Sequence, residues 1–83
     1  MVRDLPGDDA WLPERRRAIG ARIRDERLRQ NATQDAVWMA ARISRWTYQR
    51  VESGEDCQLS TLLRIAWVLE IPLAELMDER PAP

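Results

Sequence analysis

Histidine, lysine and phenylalanine are absent from these 83 residues, and there is one cysteine. Without histidine the usual general base and the commonest metal ligand are missing, and without lysine there is no amine for Schiff-base chemistry. Cys57 stands alone, which excludes an intramolecular disulfide and a multi-cysteine metal site. No clustered carboxylate pair suggests a pocket, so neither an enzyme nor a cofactor is expected. No uncharged run approaches the roughly 18 residues of a membrane span, and the opening MVRDLPGDDAW lacks the apolar stretch of a secretory signal. A cytoplasmic protein with no membrane partner is expected. Strand alternation, hairpin turns, repeats and low-complexity stretches are also missing, and the length suits a single domain.

What is present is arginine, in an uneven distribution. The net charge is -1 overall, but residues 1–14 carry -3, residues 15–50 carry +7 and residues 51–83 carry -5. All thirteen basic residues are arginines, whose planar forks fit phosphates and guanine edges. A GC-rich genome would also replace lysine by arginine, so the substitution by itself selects no function.

The helical signals fall in five places. Residues 1–12, with Pro6, Gly7, Asp8 and Asp9, have no sustained period and read as an N-terminal arm, in which Trp11 and Leu12 can still dock. Pro13 suits a first helical position, and Ile19 and Ile23 continue at helical spacing, which predicts a helix over 13–30. Asn31 can end it in a left-handed conformation, and Thr33 can cap a second helix over 34–41, with Val37, Ala40 and Ala41 on one face. Ser44 is a further N-cap, predicting a third helix over 45–53 that ends at Gly54. Leu59, Leu62, Leu63, Ala66 and Leu69 make a broad stripe, with Ile65 beside it, on a fourth helix over 59–69. Pro72 starts a short fifth helix with Leu73, Leu76 and Met77, and residues 79–83 form a tail. The expected architecture is an all-α domain over 13–78. Helix, short turn and helix between Thr33 and Gly54 have the spacing of a DNA-binding helix-turn-helix.

The stretch TQDAVWMAARISRWTYQRVESG resembles the helix-turn-helix core of phage-repressor proteins of the Cro/cI or XRE type, ungapped over 22 residues. IGARIRDERLRQ upstream and LSTLLRIAWVLEIPLAELM downstream are similar to the family's first helix and to its fourth and fifth. The resemblance implies a five-helix, lambda repressor-like domain that binds double-stranded DNA as a small transcriptional regulator or repressor in the nucleoid.

It also implies roles for individual residues. Arg45, Trp46, Gln49 and Arg50 fall at base-contacting positions, where an arginine can hold guanine O6 and N7 and a glutamine adenine N6 and N7, each pair discriminating by about 1–3 kcal/mol. Gln34, Ser44 and Thr47 fall at phosphate-contacting positions, though Ser44 can serve as a cap alone. Trp46 can pack on a thymine methyl or a sugar; a protein partner or a folded-back N-terminal arm would cover it equally well. Tyr48 and Val51 match core positions, and Arg27 and Glu52 match a structural salt bridge between the first and third helices.

Some residues depart from the family pattern. Trp38 replaces a small alanine, and should widen the packing of the second and third helices or turn its ring outward. Arg42 and Glu70 stand where glycines are usual; because positive φ is uncommon outside glycine, a different conformation is expected at the Arg42 turn. Ala36 removes the capping-box acid, and the link from Gly54 to Thr61 is one residue short. A homodimer is expected, joined through the fifth helix and neighbours such as Trp67, Leu73 and Met77, with Leu73 assigned rather to the core. The alternative is a protein-interaction module or antitoxin that uses the same fold to bind a partner protein through exposed tryptophans.

Overall fold

The computed structural model describes residues 1–79, and those residues form a small all-α domain of five helices without strands. They are α1 (Trp11–Arg29), α2 (Gln34–Ala41), α3 (Arg45–Glu52), α4 (Leu59–Leu69) and α5 (Leu73–Leu76). Glu79 is exposed and faces Arg15 at 3.5 Å; the rest of the expected C-terminal tail lies outside the described residues.

α1 begins two residues earlier than Pro13 predicts. Asp8 Oδ1 accepts from the Ala10 amide at 2.9 Å and the Asp9 carbonyl from the Leu12 amide at 3.0 Å, so the acidic turn itself starts the helix. Pro13 is then the third helical residue, where its missing N–H still costs no intrahelical bond. Thr33 and Ser44 cap α2 and α3 as expected, accepting from the amides of Ala36 and Thr47, each at 3.0 Å.

Four helices end alike. Asn31, Arg42, Gly54 and Glu70 all have positive φ, and each end makes the paired backbone bonds of a Schellman turn. Arg42 therefore does not change the turn: it takes φ 57° and ψ 45°, the conformation a glycine would adopt. The residues that follow three of these turns, Ala32, Ile43 and Ile71, pack against the core, and that burial offsets the strain of an L residue in the left-handed region.

The core is Ile23 from α1, Val37 from α2, Tyr48 and Val51 from α3, Leu62, Ile65, Ala66 and Leu69 from α4, and Leu76 from α5. α4 buries a narrower stripe than its leucines suggest, since Leu59, Leu63 and Trp67 point to solvent. Ala40 is exposed as well, whereas Leu73 does join the core margin. Trp38 is not turned fully outward. Its indole N–H donates to Asp35 Oδ1 at 2.9 Å, one turn back, and its ring lies half-buried along the core margin.

Gly20 determines how closely α1 can lie on α3. A Cβ there would stand 2.5 Å from the Val51 carbonyl oxygen and 2.7 Å from that of Glu52, closer than a Cβ carbon can come. That approach brings Arg27, two turns further along α1, level with Glu52.

Candidate nucleic-acid interface

The outward face of α3 is defined by what its other face buries. Tyr48 and Val51 point into the core, so Trp46, Gln49, Arg50 and, toward the edge, Arg45 are left to face solvent or the α2 side. Ser44 fixes where this face begins. Its hydroxyl accepts from the Thr47 amide and donates to Thr47 Oγ1 at 2.7 Å, so both hydroxyls are engaged locally in the capping turn.

The four expected base readers differ in their freedom. Arg45 is exposed and makes no ion pair with a described residue. Trp46 is 66% exposed, and the arm does not cover it; instead the Arg50 guanidinium carbon lies 4.5 Å from its ring centroid, a cation–π contact. Arg50 Nε also reaches Glu55 Oε1 at 3.3 Å, and Glu55 Oε2 accepts from the Ser53 hydroxyl at 3.4 Å. Gln49 is half-buried, and its amide nitrogen approaches Gln34 Oε1 at 3.5 Å.

Gln34 is thereby turned inward. Its Nε2 lies 3.4 Å from Glu52 Oε1, linking the α3 face to the expected ion pair. That pair is formed: Arg27 Nε and Nη2 donate to the two Glu52 oxygens at 2.8 and 3.2 Å, and Nη1 donates to the Ala32 carbonyl at 3.0 Å. Burial pushes the Glu52 carboxyl upward, but the hydrogen bonds from Arg27 and Gln34 and the Arg27 charge outweigh it, and the net direction is down. Tyr48 lies against the same pair, its hydroxyl buried without a hydrogen-bond partner among the described residues. Burial first and the Glu52 carboxylate second push its phenol well above the usual range.

The charge of the middle segment does not map onto this face. Arg15 and Arg22 donate to the carbonyls of Met77 and Glu75 around α5, Arg16 to the Gly54 carbonyl, Arg27 to Glu52 and Arg29 to Glu26. Four of the ten arginines between residues 15 and 50 thus tie α1 to other parts of the fold, and a fifth, Arg29, pairs within α1. Arg42, Arg45 and Arg50 remain at the α2–α3 turn and along α3.

One residue and one contact of this surface gave no sequence signal. Glu55 lies beyond the helix end, outside the spacing at which helical charges pair, and only the Schellman turn at Gly54, with the Glu55 amide donating to the Arg50 carbonyl at 2.9 Å, folds it back beside Arg50. The link between Gln34 and Gln49 depends on the angle between α2 and α3, which spacing does not encode.

The described residues contain no cluster of three or more metal-ligating side chains, and none of their helices is long and apolar enough to cross a membrane. The fold and this face define a small all-α domain with a capped helix presenting arginine, tryptophan and glutamine. No family model matches the chain, and no curated protein matches its sequence.

Proposed function

We propose that this protein binds double-stranded DNA sequence-specifically as a small transcriptional regulator of the phage-repressor-like type, with α3 in the major groove. The observation that carries the proposal is the outward face of α3: after a short capped turn, a two-turn helix buries Tyr48 and Val51 and leaves Arg45, Trp46, Gln49 and Arg50 available. A helix of this width fits the major groove, and residues of its first turns face base edges. Arg45 and Arg50 are the guanine readers, and Gln49, steadied by Gln34, is the adenine reader. Because one such helix covers only a few base pairs, the protein acts as a homodimer on two half-sites.

Selection of binding sites from random duplex DNA, followed by titration with salt, tests the proposal. A recovered motif is expected, bound with an affinity that falls linearly in log–log form as salt rises. Arg45→Ala and Arg50→Ala should lose base preference and keep the thermal transition. Absence of binding to any duplex at low salt would overturn the proposal. A partner protein held by the exposed tryptophans is the second reading, favoured by Trp67, which is 84% exposed on α4 away from the α3 face. A co-purifying protein lost in Trp67→Ala but retained in Arg45→Ala would support it.

A further inference from the structure

Trp46 and Arg50 stand one turn apart on α3 and form a single stacked unit, with the guanidinium carbon 4.5 Å from the indole centroid. Glu55 engages Arg50 at Nε alone, while Nη1 and Nη2 make no hydrogen bond with a described residue. The guanidinium therefore offers outward its two-pronged end, the fork that matches guanine O6 and N7. A spacing of 4.5 Å is near the roughly 3.4 Å between stacked bases, so with Arg50 on one base pair the indole meets the pair next to it.

The neighbours of Trp46 limit what can cover it. Its ring is largely exposed, Arg50 is stacked on it, and Arg45 beside it in the chain makes no ion pair with a described residue. A complementary cover is thus a small apolar group set among hydrogen-bond acceptors. The major-groove edge of a pyrimidine with a C5-methyl group has that composition when it lies next to a guanine, whose O6 and N7 accept from Arg50. Cytosine without the methyl offers the indole nothing apolar, and its N4 amine sets a donor toward donors.

We infer that Trp46 and Arg50 together detect a pyrimidine C5-methyl group next to a guanine, so that binding favours thymine over uracil at that position and responds to methylation of cytosine at C5. Arg50 fixes the register through the guanine, and Trp46 supplies the contact with the methyl. The inference rests on the DNA-binding reading and adds to it a chemical group that no hydrogen bond can read.

Fluorescence anisotropy with the duplex recovered by selection tests it. The guanine whose preference is lost in Arg50→Ala, by about tenfold or more, locates the step, and a thymine is expected beside it. Uracil in place of that thymine removes only the methyl and should weaken binding about threefold to fivefold, the effect of one buried methyl. In a second pair of duplexes with cytosine at that place, C5 methylation should strengthen binding by the same factor. Trp46→Ala should bind the two members of each pair alike, whereas Trp46→Phe, which keeps an aromatic face, should still distinguish them. Circular dichroism of each variant establishes that α3 remains folded. Equal affinity of the parent for the thymine and uracil duplexes, a discrimination that survives in Trp46→Ala, or a motif with no thymine beside the Arg50-dependent guanine would overturn the inference and leave DNA binding standing. Failure to bind any duplex at low salt would overturn both.

Discussion

Arg50 is held from two sides, its guanidinium stacked on the Trp46 ring and its Nε 3.3 Å from the Glu55 carboxylate. The geometry aims the guanidinium along the outward face of α3, and it also places an acid where a DNA phosphate or guanine would compete for the same donors.

Replacing Glu55 by glutamine removes that competitor. Glu55→Gln is expected to strengthen binding to random duplex DNA at low salt by about threefold to tenfold and to steepen the salt dependence by about one phosphate equivalent. Because the pair is half-exposed, stability should change by less than about 1 kcal/mol. Fluorescence anisotropy across a salt series measures both, and an unchanged slope would mean that Glu55 does not restrain Arg50.

Arg27→Ala strips a buried carboxylate of its bidentate partner. The expected loss is about 3–5 kcal/mol in urea unfolding, whereas Arg27→Met combined with Glu52→Leu should recover most of it, since breaking one side of a buried pair costs more than removing both. If the double variant is no more stable than the single one, the cost lies in the packing of Arg27 rather than in its charge.

The caps and the five helices were legible because each is written in local chemistry: Thr33 and Ser44 before helical stretches, apolar residues at helical spacing, Gly54 at a helix end; the ion pair of Arg27 and Glu52, far apart in sequence, was expected only from the resemblance. The exposure of Leu59, Leu63 and Trp67 was not, because a leucine's place in a hydrophobic pattern does not reveal which side of α4 the neighbouring helices leave open. The segment charge of +7 overstated the basic face for a related reason: composition counts arginines, but only tertiary structure shows that Arg15, Arg16 and Arg22 hold carbonyls. Arg42 shows the reverse case, a residue whose type argued against the conformation that the following Ile43 nevertheless stabilises by packing.

Arg42 should therefore be improvable. Glycine accepts φ 57° without the clash of a Cβ, so Arg42→Gly is expected to raise stability by about 0.5–1 kcal/mol even after the larger entropy of the unfolded glycine chain is subtracted. A rise in the urea midpoint at unchanged slope reports it; a fall would mean that the left-handed turn carries little strain.

Gly20 should behave in the opposite way despite lying inside a helix. Alanine would favour an isolated helix by about 1 kcal/mol, but here its methyl meets the carbonyl oxygens of Val51 and Glu52, which are backbone atoms and cannot rotate aside. A net loss of about 1–3 kcal/mol is expected for Gly20→Ala. A thermal transition at or above that of the parent would show that α1 can move off α3 at little cost.

Acid should unfold the protein through its depressed carboxylates. Glu52 is held below its ordinary 4.5 by net ion pairing, and Glu26 is lowered to about 2, chiefly by the hydrogen bond from Arg29 and then by that from Gln30. A carboxyl whose folded value is depressed adds stability above its unfolded value, and that stability disappears as the pH falls toward the folded value. Stability should thus be level from about pH 7 to 5 and fall between about pH 4.5 and 2. Glu26 and Arg29 lie at the surface, so most of the drop should come from Glu52. Urea unfolding at a series of pH values tests this: Glu52→Gln should start less stable at neutral pH and lose less on acidification, and an acid slope as steep as that of the parent would exclude Glu52 as its source.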